Sequence, residues 1–258
     1  MTTCIAMHRI VQRELPSMAS TKKSRSTTAA VPRRKGSKLP RRPPTELELR
    51  RTPMQARGQA TFEEILDATA VLLDKVGGDK VTTNLIARAA GVNVATLYQY
   101  FPNKQAVLLE LFKRQSEARI RLGEKLLAGF GAADDWRKVI GSAIQVIAKA
   151  RAEMPGTLAL RQVMRSSPQL LEHEQLYAQH MSAVLAAELQ AVGVKRDRAH
   201  LVARCAVETL TALLDLWSVE THGDDDRVVE EAKTLLVGYL APHFESSSHR
   251  TTSARKDR

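Results

Sequence analysis

The sequence predicts an all-α protein, and three observations carry that expectation. Apolar residues recur three and four positions apart in one segment after another, the spacing that lines one face of a helix. Hydrophobic residues fill 43% of the 258 positions but aromatics only 4%, so plentiful Ala and Leu must build the core, a composition that favours packed helices over a β-sandwich. No convincing pair of alternating segments and no internal repeat is found along the chain.

Order is expected to begin near Ala60. Phe62, Ile65, Leu66, Thr69, Leu72, Leu73 and Val76 share one helical face, and Gly77-Gly78 ends that helix. Two short helices follow, Asn84 to Ala90 and Val94 to Tyr100. Thr82 or Thr83 can cap the first, Leu85, Ile86 and Ala89 are expected to face a core, and Gly91 closes it. Val94, Leu97 and Phe101 form the inner face of the second, and Pro102, which lacks a backbone N–H, must stop it.

A long helix then runs from about Asn103 to Leu127. Asp134 or Asp135 caps the next, with Trp136, Val139, Ile140, Ala143, Ile144 and Ile147 on its apolar face. Pro155-Gly156 breaks the chain before a short helix through Leu158, Leu160 and Val163. Pro168 opens another, carrying Leu170, Tyr177, Met181, Val184 and Leu185, which runs out at Gly193. Asp197 can cap a helix bearing Leu201, Val202, Cys205, Thr209, Leu213, Leu216 and Trp217. The last starts at Asp224-Asp225-Asp226, acidic residues suited to the positive end of a helix dipole, and is expected to stop at Pro242. About nine helices result.

Charge is distributed unevenly. The formal net charge is +11, yet residues 1–58 hold 14 Lys and Arg against 3 Asp and Glu, while residues 59–258 hold 25 of each. Such a basic arm flanking a neutral body suits contact with a polyanion, or simply a solvated tail. Residues 16–53 are rich in Pro, Ser, Thr, Lys and Arg, cannot bury enough apolar surface to offset their ordering entropy, and are expected to be disordered. Cys4 and Cys205 cannot form a disulfide framework, which points to a reducing, cytoplasmic compartment, and Cys205 reads as core filler. No run of apolar residues is long enough to span a membrane.

Residues 82–104 carry the chemistry. Two short helices joined by a tight turn have the geometry of a helix-turn-helix, whose second helix can enter a major groove. Ala95, Thr96, Gln99 and Tyr100 are expected on its outer face, with Tyr98 at the boundary. Gln99 can make paired hydrogen bonds to a base edge, and Ala95 and Thr96 can touch thymine methyl groups. Tyr98 and Tyr100 offer hydroxyls to phosphate oxygens. Lys104 follows the cap Asn103, so its cation sits at the positive end of a helix at a cost of about 0.3–1 kcal/mol; a phosphate bound there would reverse that cost.

The stretch T-T-N-L-I-A-R-A-A-G-V-N-V-A-T-L-Y-Q-Y-F-P-N-K from Thr82 to Lys104, with the helix before it and the run AVLLELF after it, resembles the DNA-binding domain of the TetR/AcrR family over residues 57–112. Gly91-Val92, Thr96-Leu97-Tyr98, Tyr100-Phe101 and Asn103-Lys104 carry the resemblance. It implies a three-helix DNA-binding domain over 57–105 and a helical regulatory and dimerisation domain over 106–244. A disordered basic arm (1–56) and a disordered tail (245–258) would flank them. It also implies that Thr82 and Thr83 hold phosphate, that Ala95, Thr96, Gln99 and Tyr100 face bases or adjacent backbone, and that Tyr98 and Lys104 clamp phosphates. Asn93, Val94, Ala95 and Gln99 would set the operator sequence. Asn93 and Val94 depart from the small polar and basic residues often seen there, which bears on which bases are read.

The family resemblance further implies a homodimer paired through the helices at 197–221 and 224–241, reading a pseudo-palindromic operator in double-stranded DNA. Helices from 103 to 192 would surround a cavity for a small apolar ligand, with Trp136, Met154, Leu160, Met164, Tyr177, Met181 and Trp217 as candidate lining, though each taken singly reads more readily as ordinary core. A ligand that favours the DNA-incompetent spacing would release the operator, so the expected function is that of a repressor. Two rivals stand against it. An architectural DNA-binding protein would use the basic arm, but the neutral body and specific recognition helix argue otherwise. An enzyme is disfavoured because the chain lacks a Walker loop, an H-E-x-x-H motif and a nucleotide-binding glycine fingerprint. His173 and His180 are nearly two turns apart, a poor metal spacing, and Glu172, His173 and Glu174 read as an exposed polar face. No catalytic residue, cofactor or metal is expected.

Overall fold

Nine α-helices run through the residues that the computed structural model describes, 47–130, 133–220 and 226–253, and no strand forms among them. They are α1 (Ala56–Val76), α2 (Thr83–Ala89), α3 (Val94–Tyr100), α4 (Lys104–Leu127), α5 (Trp136–Ala152), α6 (Thr157–Ser166), α7 (Pro168–Ala191), α8 (Arg196–Glu220) and α9 (Arg227–Ser253). The arm up to residue 46, with Cys4, Lys38, Arg41 and Arg42, and the proposed cap Asp224-Asp225 lie outside the described residues. So do the side chains from residue 245 of the proposed tail.

Most helix ends fall where local chemistry puts them. Thr82, Asn93, Asn103 and Asp135 each cap a helix, their side-chain oxygens accepting from the backbone N–H of Leu85, Ala95, Ala106 and Lys138. Pro168 occupies the first turn of α7, where its missing N–H costs nothing. α1 starts at Ala56, earlier than the apolar pattern indicates. Pro242 does not stop α9, which continues to Ser253. Phe244, beyond the proline, is buried and stacks on Trp136 with centroids 4.4 Å apart, while Phe130 meets it edge-on at 5.0 Å. Burial of this aromatic trio offsets the roughly 3 kcal/mol that an interior proline costs a helix.

Two cores form. The first joins α1, α2 and α3 to the N-terminal half of α4, and takes in Leu160 and Met164 of α6 and Leu170 of α7. The second holds the end of α4, α5, the C-terminal part of α7, α8 and α9. The first core therefore runs past residue 105, through Leu108, Leu111 and Phe112, so α4 belongs to both. α6 is wedged against α1: Gly156, at φ 72°, caps it where an added Cβ would stand 2.6 Å from the Ala70 carbonyl oxygen. Only a residue without a side chain fits both that backbone conformation and that approach.

Candidate nucleic-acid interface

The inner side of the helix-turn-helix is sealed by apolar contact. Ile86 and Ala87 of α2 and Leu97 of α3 are fully buried, and Phe101 stacks on Phe62 of α1 with centroids 4.8 Å apart. Ala87, not Ala89, supplies the small buried residue of α2; Ala89 is exposed. Gly91, at φ 67°, makes the turn, and the backbone N–H of Val92 reaches back to the Ala87 carbonyl at 3.0 Å.

This packing leaves the other side of α3 open. Asn93, Ala95 and Gln99 are exposed, and Thr96 is half-buried beside them. Asn93 Oδ1 accepts from Ala95 N at 2.8 Å, so its oxygen is committed to the cap and only its amide donors remain for a partner. Thr82 caps α2 at 3.2 Å in the same way. Thr83 and Tyr98 share a hydrogen bond at 3.1 Å between their hydroxyls, which ties the start of α2 to the middle of α3 and holds both groups at the rim of the face.

Tyr100 stands elsewhere than expected, and Lys104 has a partner within the chain. Tyr100 is buried rather than outward-facing: its ring meets Phe62 edge-on at 5.9 Å and its hydroxyl fills the space beside Gly58. A seven-residue helix with Leu97 innermost brings the residue three positions on to the same side, and the aromatic cluster claims it. Only the rim of Tyr100 reaches a surface groove that it lines with Arg51, Arg57 and Thr96. Lys104 Nζ donates to the Gly78 carbonyl at 3.4 Å. Its charge at the positive end of α4 is thus partly offset by a carbonyl just past the end of α1.

The surrounding cations were only partly legible. Arg50, expected in a flexible arm, folds back: its backbone N–H donates to the Tyr100 carbonyl at 2.9 Å and its guanidinium to the Tyr98 carbonyl at 3.2 Å. It thereby satisfies two C-terminal carbonyls of α3. Arg51 and Arg57 remain exposed beside α3, and Arg88, which periodicity alone did not single out, is exposed in the last turn of α2.

Comparison with known proteins accords with this arrangement. The family model for bacterial regulatory proteins of the tetR family matches residues 65–111, and that for the tetracyclin repressor-like C-terminal domain matches residues 135–240. The chain belongs to the tetR family. Among curated relatives, it is 42% identical over 55 residues to the HTH-type transcriptional repressor KstR of Rhodococcus jostii, a match covering 21% of this chain and 26% of that protein. The chain thus spans about a quarter of the length of that relative. A TetR-family regulator from Streptomyces coelicolor is similar in structure, with a TM-score of 0.53 and 28% identity over 70% of this chain and 98% of that one. A second, from Mesorhizobium loti, has a TM-score of 0.59 at 18% identity, over 72% of this chain and 98% of that one, and shows the shared fold.

In the tetR-type C-terminal domain a partly open cavity of about 120 Å³ lies between α4, α5, α6, α7, α8 and α9. Tyr177 and Met181 line it as expected, but Trp136, Met154, Leu160, Met164 and Trp217 do not. Trp136 belongs to the aromatic trio, and Leu160 and Met164 to the first core. Sequence reasoning missed the polar edge of this cavity, formed by Arg119, Arg151 and Arg161. Glu174, expected on an exposed face, is buried and accepts from Arg161 at 2.7 Å and Arg165 at 3.1 Å. Asp215 pairs with Arg151 and lies 3.7 Å from Arg161. Burial pulls the Arg151 guanidinium down to about 10, against the opposing pull of Asp215, and burial likewise lowers Arg119.

On the outer side of α8, Leu201, Cys205, Thr209, Leu216 and Val219 are exposed, as are Leu235 and Tyr239 of α9. Cys205 is therefore a surface residue in this stripe, not core filler. Among the described residues no helix is long and apolar enough to cross a membrane.

Proposed function

We propose that the chain is a dimeric transcription repressor that reads a pseudo-palindromic operator with α3 and releases it when a small apolar molecule occupies the cavity of the C-terminal domain. One observation carries the reading: α3 buries Leu97 and turns Ala95, Thr96 and Gln99 outward, with exposed Arg51 and Arg57 around the groove that Thr96 lines and Arg88 exposed on α2. Small residues and one glutamine on a short, capped helix suit close approach to base edges, and the cations suit the flanking phosphates. Thr82, Thr83, Asn93, Tyr98 and Lys104 act at the rim, the first two and Tyr98 toward phosphate. Tyr100 serves chiefly as the buried strut beneath.

One α3 reads too few base pairs for specificity, so two copies are required. The exposed apolar stripe of α8 and α9 supports an isologous four-helix pairing, since Leu201, Leu216, Val219 and Leu235 are each roughly half-exposed in a single chain. The route from cavity to DNA runs through α6. Arg161 lines the cavity, and α6 rests on α1 through Gly156, while Val163 packs into the notch left by Gly78. A ligand that shifts α6 therefore moves α1 and the helix-turn-helix stacked on Phe62, changing the spacing of two recognition helices.

Selection of bound duplexes from a random pool tests this directly. The full chain should enrich one palindrome, and Gln99→Ala should weaken its binding about tenfold or relax one position on each side. Enrichment of no sequence by a folded dimer would refute the reading.

A further inference from the structure

We propose that the effector is apolar only in its body: the cavity is selective for a small monocarboxylate, with an apolar part about the size of a benzene ring and its carboxylate on Arg119; this rests on the cavity being the effector site. The wall is apolar apart from Tyr177, Thr211 and three guanidiniums, and its volume of about 120 Å³ compares with the roughly 150 Å³ of an apolar cavity that admits benzene.

Charge decides what the head group must be. Arg119, Arg151 and Arg161 meet at the cavity, and the nearby carboxylates are Glu174 and Asp215. Arg165 also reaches both carboxylates but is nearly half-exposed, so water serves its charge. Arg151 and Arg161 thus each have an acid partner. Arg119 has none within ion-pairing distance among the described residues; its guanidinium donates to Ser116 Oγ at 3.0 Å and lies over the Tyr177 ring at 4.4 Å. Stacking on Tyr177 explains where the group rests but not how its N–H groups are satisfied. The Nε atoms of Arg119, Arg151 and Arg161 are all buried without a hydrogen-bond acceptor. A buried arginine stays charged and leaves up to five donors needing acceptors. Arg119 is half-buried, but its Nε is shut off from water and it has no acid partner, so of the three guanidiniums it is the one that most needs a further acceptor.

One surplus positive charge calls for one negative charge. A planar carboxylate matches the guanidinium fork with two parallel hydrogen bonds, whereas an amide or alcohol of the same size offers weaker acceptors and no charge. A dianion would overshoot the balance. Gly123 sets the depth of the apolar end, because a Cβ there would collide with the Met181 methyl group.

The test uses the purified full chain without DNA. Benzoate and hexanoate are titrated calorimetrically beside benzamide, hexanamide and benzylamine. The acids should bind at least tenfold more tightly than their amides, and benzylamine should not bind. Arg119→Met should reduce the acid-to-amide preference to under twofold, and Gly123→Ala should weaken acid and amide alike by crowding Met181 into the cavity. Equal binding of acid and amide to the wild-type chain overturns the proposal, as does no binding of either acid at millimolar concentration; neither depends on the variants folding. Duplex selection with ligand-free protein is read separately. Its failure would sink the repressor reading and leave the carboxylate preference standing, and the converse also holds.

Discussion

A single methyl group placed at Gly156 measures the junction between α6 and α1. Gly156 has φ 72°, a left-handed conformation that costs an L-residue about 1–2 kcal/mol. An alanine Cβ there would also stand 2.6 Å from the Ala70 carbonyl oxygen and 3.0 Å from Leu73 Cβ. Carbon and oxygen pack no closer than roughly 3.3 Å, so α6 must retreat from α1 by roughly 0.7 Å. Interiors are close-packed, and forcing one extra carbon into such a site costs about 1–3 kcal/mol. Gly156→Ala should therefore destabilise the protein by about 2–5 kcal/mol in all. Gly129 supplies the control: it has the same φ of 72°, but an added Cβ would meet nothing within 4 Å. Gly129→Ala should cost only the conformational part, about 1–2 kcal/mol. Urea unfolding followed by far-ultraviolet circular dichroism, at one fixed protein concentration because dimerisation contributes, gives both values. If the two variants lose the same stability, α6 does not bear on α1, and the route from Arg161 to the recognition helix fails with it.

Tyr100→Ala should lower stability by about 3 kcal/mol, because it empties a site packed between Phe62 and Gly58, whereas Gln99→Ala should change stability by less than about 0.5 kcal/mol. Equal, small losses for both would put Tyr100 back on the surface. His173 gives a pH dependence. Burial, and then the neighbouring Lys113 cation, hold its pKa below the ordinary 6.5, so the folded state favours the neutral ring. Its contribution is present above pH 6.5 and is lost as pH falls from there through the lowered folded value. His173→Gln should flatten the fall of the urea midpoint between about pH 7 and pH 5.5; an unchanged slope would remove His173 from the balance.

What the sequence disclosed and what it hid follow the range of the forces involved. Helices α2 and α3 were legible to within a residue because their ends are set by Thr82, Gly91, Asn93 and Pro102, all within a few positions of the helices they bound. The outward set Ala95, Thr96 and Gln99 followed from the same short period. Tyr100 reads as outward because the helical period gives the inner face to its neighbour Phe101, whereas Phe62, on another helix, claims both rings. Reasoning from local breakers fails in the same way at Pro242, where Phe244 finds its partner Trp136 on a helix far back in the chain.

The arginine cluster lay furthest from view because no local pattern encodes it. Arg119, Arg151 and Arg161 sit on α4, α5 and α6, and their acid partners Glu174 and Asp215 sit on α7 and α8. Each of these residues, taken by itself, reads as one more charge on a solvated helix face, and most such charges are. Only the packing of five helices turns them inward together, and an ion cluster of that kind adds little stability over an apolar core of the same volume. Its place at the edge of an otherwise greasy cavity is better explained by what it can recognise. The same reasoning separates the two halves of the molecule. The helix-turn-helix must present a surface that DNA can read, so short-range rules shape it and the sequence betrays it. A cavity between helices can discriminate only by depth, volume and charge balance, quantities that exist only once distant helices have met.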